Sequence, residues 1–152
     1  MGGRALLVAA LVAVSAAFFA SPGHASNAIK YGIQDDAWIE FGPGKLNQRL
    51  DTLKRLGVPL VRVTVHWNVV APKRPTDPAS PRDRAYDWRR SDRVLLALRR
   101  HGLTPIVTLV GTPAWANGGR GPNYAPPRPG DFRAFARAVA SRYPWVRYWL
   151  IW

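Results

Sequence analysis

Apolar positions recur along the chain in two alternating rhythms. Short apolar or β-branched runs cover Tyr31 to Gln34, Leu60 to Trp67, Thr104 to Val110 and Val146 to Trp152. Between them, Leu46, Leu50, Leu53 and Leu56, then Val94, Leu95 and Leu98, then Phe132, Phe135 and Val139 return at helical spacing. The first rhythm belongs to strands and the second to single helical faces. Gly57 and Gly102 follow the first two helical segments, where a chain leaving a helix in the left-handed conformation favours glycine. Ser91 or Asp92 is the expected N-cap of the second helix, and Asp131 of the third.

Strand and helix thus alternate, with tight returns from each helix into the next strand. Such returns and such apolar strands require parallel pairing with helices packed outside, an α/β architecture. The connections that leave the second and third strands are long and rich in Trp, Pro, Gly and Arg, "APKRPTDPASPRDRAYDWRR" and "GTPAWANGGRGPNYAPPRPGD". Both a (β/α)8 barrel and a doubly wound sheet place ligands at that end of the strands. The first strand-to-helix turn lacks G-x-G-x-x-G, and no P-loop follows any strand, which disfavours a nucleotide.

The N-terminus follows another pattern. Arg4 precedes the apolar stretch Leu6 to Ala20, then Pro22 and Gly23 break it, and small residues flank His24. Residues 1–25 read as a cleaved export signal, with an uncleaved anchor as the alternative, and residues 26–152 as the domain. The expected location is therefore secreted. The absence of cysteine removes disulfides and thiolate metal sites, so stability must come from a packed core. A net charge of +13 is spread as scattered arginines rather than one basic run. That pattern reads as solvated faces and not as a nucleic-acid site.

Candidate chemistry gathers at the strand ends. Arg62, Thr64 and His66 share one face of the second strand at period two. Arg62, inside an otherwise apolar strand, is expected to face a carboxylate. Trp67 and Trp115 stand beside loop residues and suit a cleft in which sugar C–H faces lie on aromatic rings. Trp149 reads as core, and Trp152 as a further candidate for the cleft. His66 is either a ligand-binding or a structural histidine. Asp35 and Asp36 either line the mouth or begin the following turn. His24, His66 and His101 are far apart in sequence, so no metal site is expected.

Three stretches together, "GVPLVRVTVHWNVVAP", "YDWRRSDRVLLALRRHGLTPIVTLVGTPAWA" and "FRAFARAVASRYPWVRYWLIW", resemble the first half of a retaining (β/α)8-barrel glycoside hydrolase. The likeness is to the clan of families 5, 39 and 42, the cellulases, xylosidases, iduronidases and galactosidases. Thr112-Pro113-Ala114-Trp115 is similar to the third-strand motif of families 39 and 42. The resemblance implies a partial TIM barrel of four parallel strands and three helices, a carbohydrate substrate and no cofactor. The alternatives are a degenerate barrel that holds a polysaccharide through Trp67 and Trp115 without cutting it, and a basic interaction protein for anionic cell-surface polymers. The resemblance also implies that Arg62 matches an arginine contacting the nucleophile, and that His66, Trp67 and Trp115 match sugar-subsite positions. Asp36 and Trp152 are further substrate-binding candidates from their places near the strand ends. In that clan the fourth strand runs through Ile-Trp into Asn-Glu-Pro, so the acid/base glutamate would follow Trp152. A retaining mechanism needs two carboxyl groups about 5 Å apart. Asp35, Asp36 and Glu40 do not form such a pair by spacing. Four strands cannot close an eight-stranded barrel, so the chain alone is expected to dimerise or aggregate.

Overall fold

The computed structural model describes residues 29–151, so the expected export signal and Trp152 lie outside the described residues. Four strands, β1 (Gly32–Gln34), β2 (Leu60–His66), β3 (Thr104–Val110) and β4 (Tyr148–Ile151), pair in parallel in the order β1-β2-β3-β4. Sequential order with every crossover helical is what the strand–helix alternation predicts. The helices are α1 (Asp36–Phe41), α2 (Leu46–Arg55), α3 (Trp67–Val70), α4 (Arg89–Arg100), α5 (Ala114–Asn117) and α6 (Pro129–Arg142). The three long ones, α2, α4 and α6, are those read from periodicity. The short helices α1, α3 and α5 were not, because one turn is too brief for a period to show.

The core fills the space between one face of the sheet and the long helices. Val61, Val63, Val65, Val107 and Leu109 meet Leu50, Leu53, Val94, Leu95, Leu98, Phe135 and Val139, all buried. Leu56 departs from its expected place: α2 ends at Arg55, and the leucine is 71% exposed beyond the last turn. Gly57 and Gly102 adopt φ of 70° and 69°, as the stop signals required.

The expected caps are corrected as well. Helix α4 begins at Arg89 with Trp88 at its N-cap, and α6 begins at Pro129 with Arg128 at its N-cap. Asp92 and Asp131 both lie inside the first turn instead. There each holds an arginine, Asp92 taking Arg142 and Asp131 taking Arg74 and Arg128. In the first turn each carboxylate still lies near the helix N-terminus, where a negative charge is favourable.

The Pro-rich segment after α3 is ordered by its own carbonyls. The Tyr86 hydroxyl donates to the Pro78 carbonyl at 2.6 Å and the Trp88 indole to that of Pro81 at 2.9 Å. Both rings are buried, and burial pushes the Tyr86 phenol well above its ordinary pKa. Among the described residues no helix is long and apolar enough to cross a membrane.

Candidate functional site at the carboxyl ends of the strands

In a parallel sheet, residues paired in register point to the same face. Gln34 pairs with Arg62 and Arg62 with Ile106; Thr64 pairs with Thr108 and His66 with Val110. The helices cover the opposite face, so Gln34, Arg62, Thr64, His66 and Thr108 form a polar strip on the uncovered one. Arg62 ties it together: Nε donates to Thr108 Oγ1 and Nη1 to Gln34 Oε1, both at 2.8 Å. The guanidinium therefore bridges three strands. The expected carboxylate partner is not what Arg62 finds among the described residues; neutral oxygens on β1 and β3 accept its N–H hydrogen bonds. Part exposure of Arg62 makes this affordable, because solvent still screens the charge.

The two aspartates separate into different jobs. Asp35 caps α1, accepting the Trp38 N–H at 2.8 Å. Asp36 reaches across to β2, accepting the Thr64 N–H at 3.0 Å and the Thr64 hydroxyl at 2.6 Å. β1 ends at Gln34, opposite Arg62, so Asp36 supplies the acceptor that a longer β1 would have offered Thr64. Glu40 is 7% exposed and paired with Arg90. These three carboxylates are held by a helix end, a strand and an arginine, and none stands against another as an acid/base pair.

The tryptophans have different surroundings. Trp67 is 1% exposed, stacked on Phe135 at 5.1 Å between centroids and edge-on to Trp115 at 5.4 Å. It is a core residue whose edge reaches the cleft, and its indole N–H is buried without a partner among the described residues. Leaving such a donor unsatisfied costs about 1–3 kcal/mol. Trp115 donates its indole N–H to the Ala71 carbonyl at 2.8 Å, and the Arg74 guanidinium lies 4.6 Å over its ring. One face of the ring is thereby covered by a cation. Trp149 is half-buried against the core, as read from sequence. His66 stays half-buried on the rim, at the N-cap of α3.

The open cleft, of about 410 Å³, lies at the ends of β3 and β4. Thr112, Asn123, Tyr124, Pro126, Phe132 and the edge of Trp67 line it. Tyr124 is 57% exposed, with the Arg120 guanidinium 5.5 Å over its ring. Gly111 forms the floor with φ of 77°; a Cβ there would stand 2.4 Å from Asn68 Oδ1. Asn123, Tyr124 and Gly111 escaped sequence reasoning. Their signal was one aromatic and one glycine in a loop rich in both Gly and Pro, which points nowhere without the third dimension.

Neither a protein-family model nor a curated protein matches the sequence. Solved structures do. A family 39 glycoside hydrolase from Bacteroides cellulosilyticus WH2 superposes with a TM-score of 0.50 at 17% identity, over 70% of this chain and 21% of its own. The β-glucosidase from Trichoderma harzianum gives 0.52 at 20% identity, over 80% of this chain and 33% of its own. The chain carries part of a TIM-barrel fold. It spans between a fifth and a third of the length of those two proteins. Placed in a barrel, the uncovered polar strip of β1 to β3 is the barrel interior, and the cleft stands at the face where barrel enzymes bind substrate.

Proposed function

We propose that this chain is the substrate-holding part of a secreted retaining glycoside hydrolase. The observation that carries the reading is the cleft at the strand ends, where exposed Tyr124, Asn123 and Thr112 combine an aromatic face with hydrogen-bonding groups. Pyranose rings need that pairing, with C–H faces on a ring and hydroxyls on polar edges. The interior strip of Gln34, Arg62 and Thr108 supports it from below, since Arg62 bridges to both neighbours. The fold shared with the two glycosidases agrees with this reading.

Hydrolysis by double displacement takes one carboxylic acid to protonate the leaving oxygen and one carboxylate to attack the anomeric carbon. Asp35, Asp36 and Glu40 are engaged elsewhere, so this chain's part in the reaction is to bind and orient the sugar. In the proposed parent enzyme the acid/base glutamate would follow Ile-Trp at the end of the fourth strand, and the nucleophile would stand on a later strand. That engagement of all three also favours a second reading, in which the chain binds a glycan without cutting it.

Sequencing the coding DNA past the codon for Trp152 separates the two. Asn-Glu-Pro in frame, with a second strand-borne glutamate downstream, supports the hydrolase; a stop codon leaves the binding reading. Binding itself is read by titrating the chain with neutral oligosaccharides. Tyr124→Ala should weaken it about tenfold, and unchanged affinity would count against the cleft. The edges β1 and β4, with Tyr148 and Leu150 exposed on the interior face, favour self-association of this chain. A monomeric mass independent of concentration would oppose that.

A further inference from the structure

The exposed surface of α4 carries a row of arginines that the strand-end site does not use. Arg89, Arg93 and Arg100 fall on one helical stripe with Leu96 between them, spanning about 16 Å along the axis. The stripe forms one wall of an open groove of about 530 Å³, whose other wall is Lys45, Leu46 and Asn47 at the start of α2. A second groove of about 380 Å³ shares Arg89 and Arg93 and continues past Arg90 to Val69 on α3, the turn that leaves β2. The two make one basic channel from the rim of the strand ends down the outside of the sheet's helical layer.

Its charge is cancelled only in part, at Arg89 and Arg90. Asp92 lines the groove, but its carboxylate is taken by Arg142 and by the Tyr143 hydroxyl. Asp87 pairs with Arg89, and Glu40 with Arg90. Among the described residues no carboxylate stands within ion-pair distance of Lys45, Arg93 or Arg100, and all three are exposed.

We propose that this channel is a secondary binding surface for an anionic polysaccharide bearing carboxylates at regular intervals. A linear polymer with repeating charge matches this linear row: Arg100 can hold a carboxylate by two parallel hydrogen bonds, Arg93 has its Nη2 donating to the Glu40 carbonyl at 3.0 Å, and Arg89 already holds Asp87. Leu46 and Leu96 give the floor apolar patches for sugar C–H faces. The groove contains no aromatic side chain on which bases would stack, which argues against a nucleic acid. The choice of polysaccharide among polyanions rests in part on the carbohydrate reading of the cleft; the anionic channel itself does not.

The test uses the whole chain, titrated with polygalacturonate, with its methyl-esterified form and with single-stranded DNA at low and high salt. The triple variant K45Q/R93Q/R100Q should bind polygalacturonate about tenfold more weakly, with a shallower salt dependence. The control R133Q/R137Q/R147Q, which removes the same charge from other exposed positions, should lose far less. The single variant Arg100→Gln, whose side chain has no hydrogen-bond or ion-pair partner among the described residues, should show a smaller loss in the same direction. Equal loss in the triple variant and its control overturns the proposal by reducing it to net charge. Tighter binding of DNA through the same residues, or unchanged affinity for the esterified polymer, overturns it too. Tyr124→Ala keeps the two readings apart. If it abolishes neutral-sugar binding and leaves polygalacturonate binding intact, both stand; if neutral sugars never bind while the arginine variants still act, only the cleft reading falls.

Discussion

The carboxylate of Asp36 holds both the backbone N–H and the side-chain hydroxyl of Thr64, at 3.0 and 2.6 Å. One side chain from the first turn of α1 thereby completes the edge of β2 where β1 has already ended. The bond joins the first strand-to-helix turn to the middle of the second strand.

Removing it should be felt in stability before it is felt in binding. Asp36→Ala leaves the Thr64 N–H without its acceptor and should cost about 1.5–3 kcal/mol, as for hydrogen bonds to charged groups. Thr64→Val keeps the backbone bond and should cost less. Urea unfolding followed by tryptophan fluorescence measures both; equal costs for the two variants would mean the backbone bond contributes nothing.

Gly111 and Gly57 share a left-handed backbone but not its surroundings. At Gly57 an added Cβ would meet nothing within 4 Å, so Gly57→Ala should cost only the backbone preference, about 1–2 kcal/mol. At Gly111 the added carbon meets Asn68 Oδ1, and Gly111→Ala should cost more and disturb the cleft floor. Gly111→Ala combined with Asn68→Ala should recover most of the excess. Thermal melts of the parent and these variants decide it, and a Gly111→Ala no worse than Gly57→Ala would remove the contact from consideration.

Trp115 and Arg74 clasp the two long loops. The cation over the ring contributes about 0.5–1 kcal/mol, and Arg74 also reaches Asp131 at 3.5 Å. Arg74→Ala should therefore lower stability slightly while opening the Trp115 face to solvent. Acrylamide quenching should rise relative to the parent protein; unaltered quenching would show that another group covers the indole.

The long loop after α3 should loosen in acid. Its Arg89 partner and backbone N–H bonds hold Asp87 at a pKa of about 2, below its ordinary 3.8. The backbone N–H groups of Asp77 and Ala85 lower Asp83 likewise. A depressed carboxylate pKa means the folded state gains stability that is fully present above the unfolded value and is lost as pH falls through the folded one. Between roughly pH 4 and pH 2 the loop should give way, with amide exchange rising in residues 76–89 ahead of the sheet. Exchange rising uniformly across the sheet and the loop would contradict a local origin.

The alternation of strands and helices, their parallel pairing and their three long helices were legible in the sequence, because each rests on periodicity that local chemistry imposes. Leu50, Leu53, Val94, Leu98, Phe135 and Val139 announced their burial by spacing alone. Glycines stopped α2 and α4 because only glycine sits there without strain. Arg49 was illegible by the same logic. Its place in the helical repeat reads as polar surface, yet it is 5% exposed and donates to the carbonyls of Ile39, Gly42 and Gly44. Unpaired carbonyls at the end of α1 called for a donor, and only the packing of α1 against α2 shows which residue supplies it.

The site divides along the same line. The sequence by itself determined that polar Arg62, Thr64 and His66 would share a face and that long loops would crown the ends of β2 and β3, since pleat and connectivity follow from local order. Tertiary structure alone decided what those residues touch. It turned Trp67 into the core, covered Trp115 with Arg74, gave Arg62 neutral partners and left Tyr124 open at the cleft. The physical reason is that burial and pairing are set by which elements arrive from a distance in sequence, and residue spacing carries no record of that arrival.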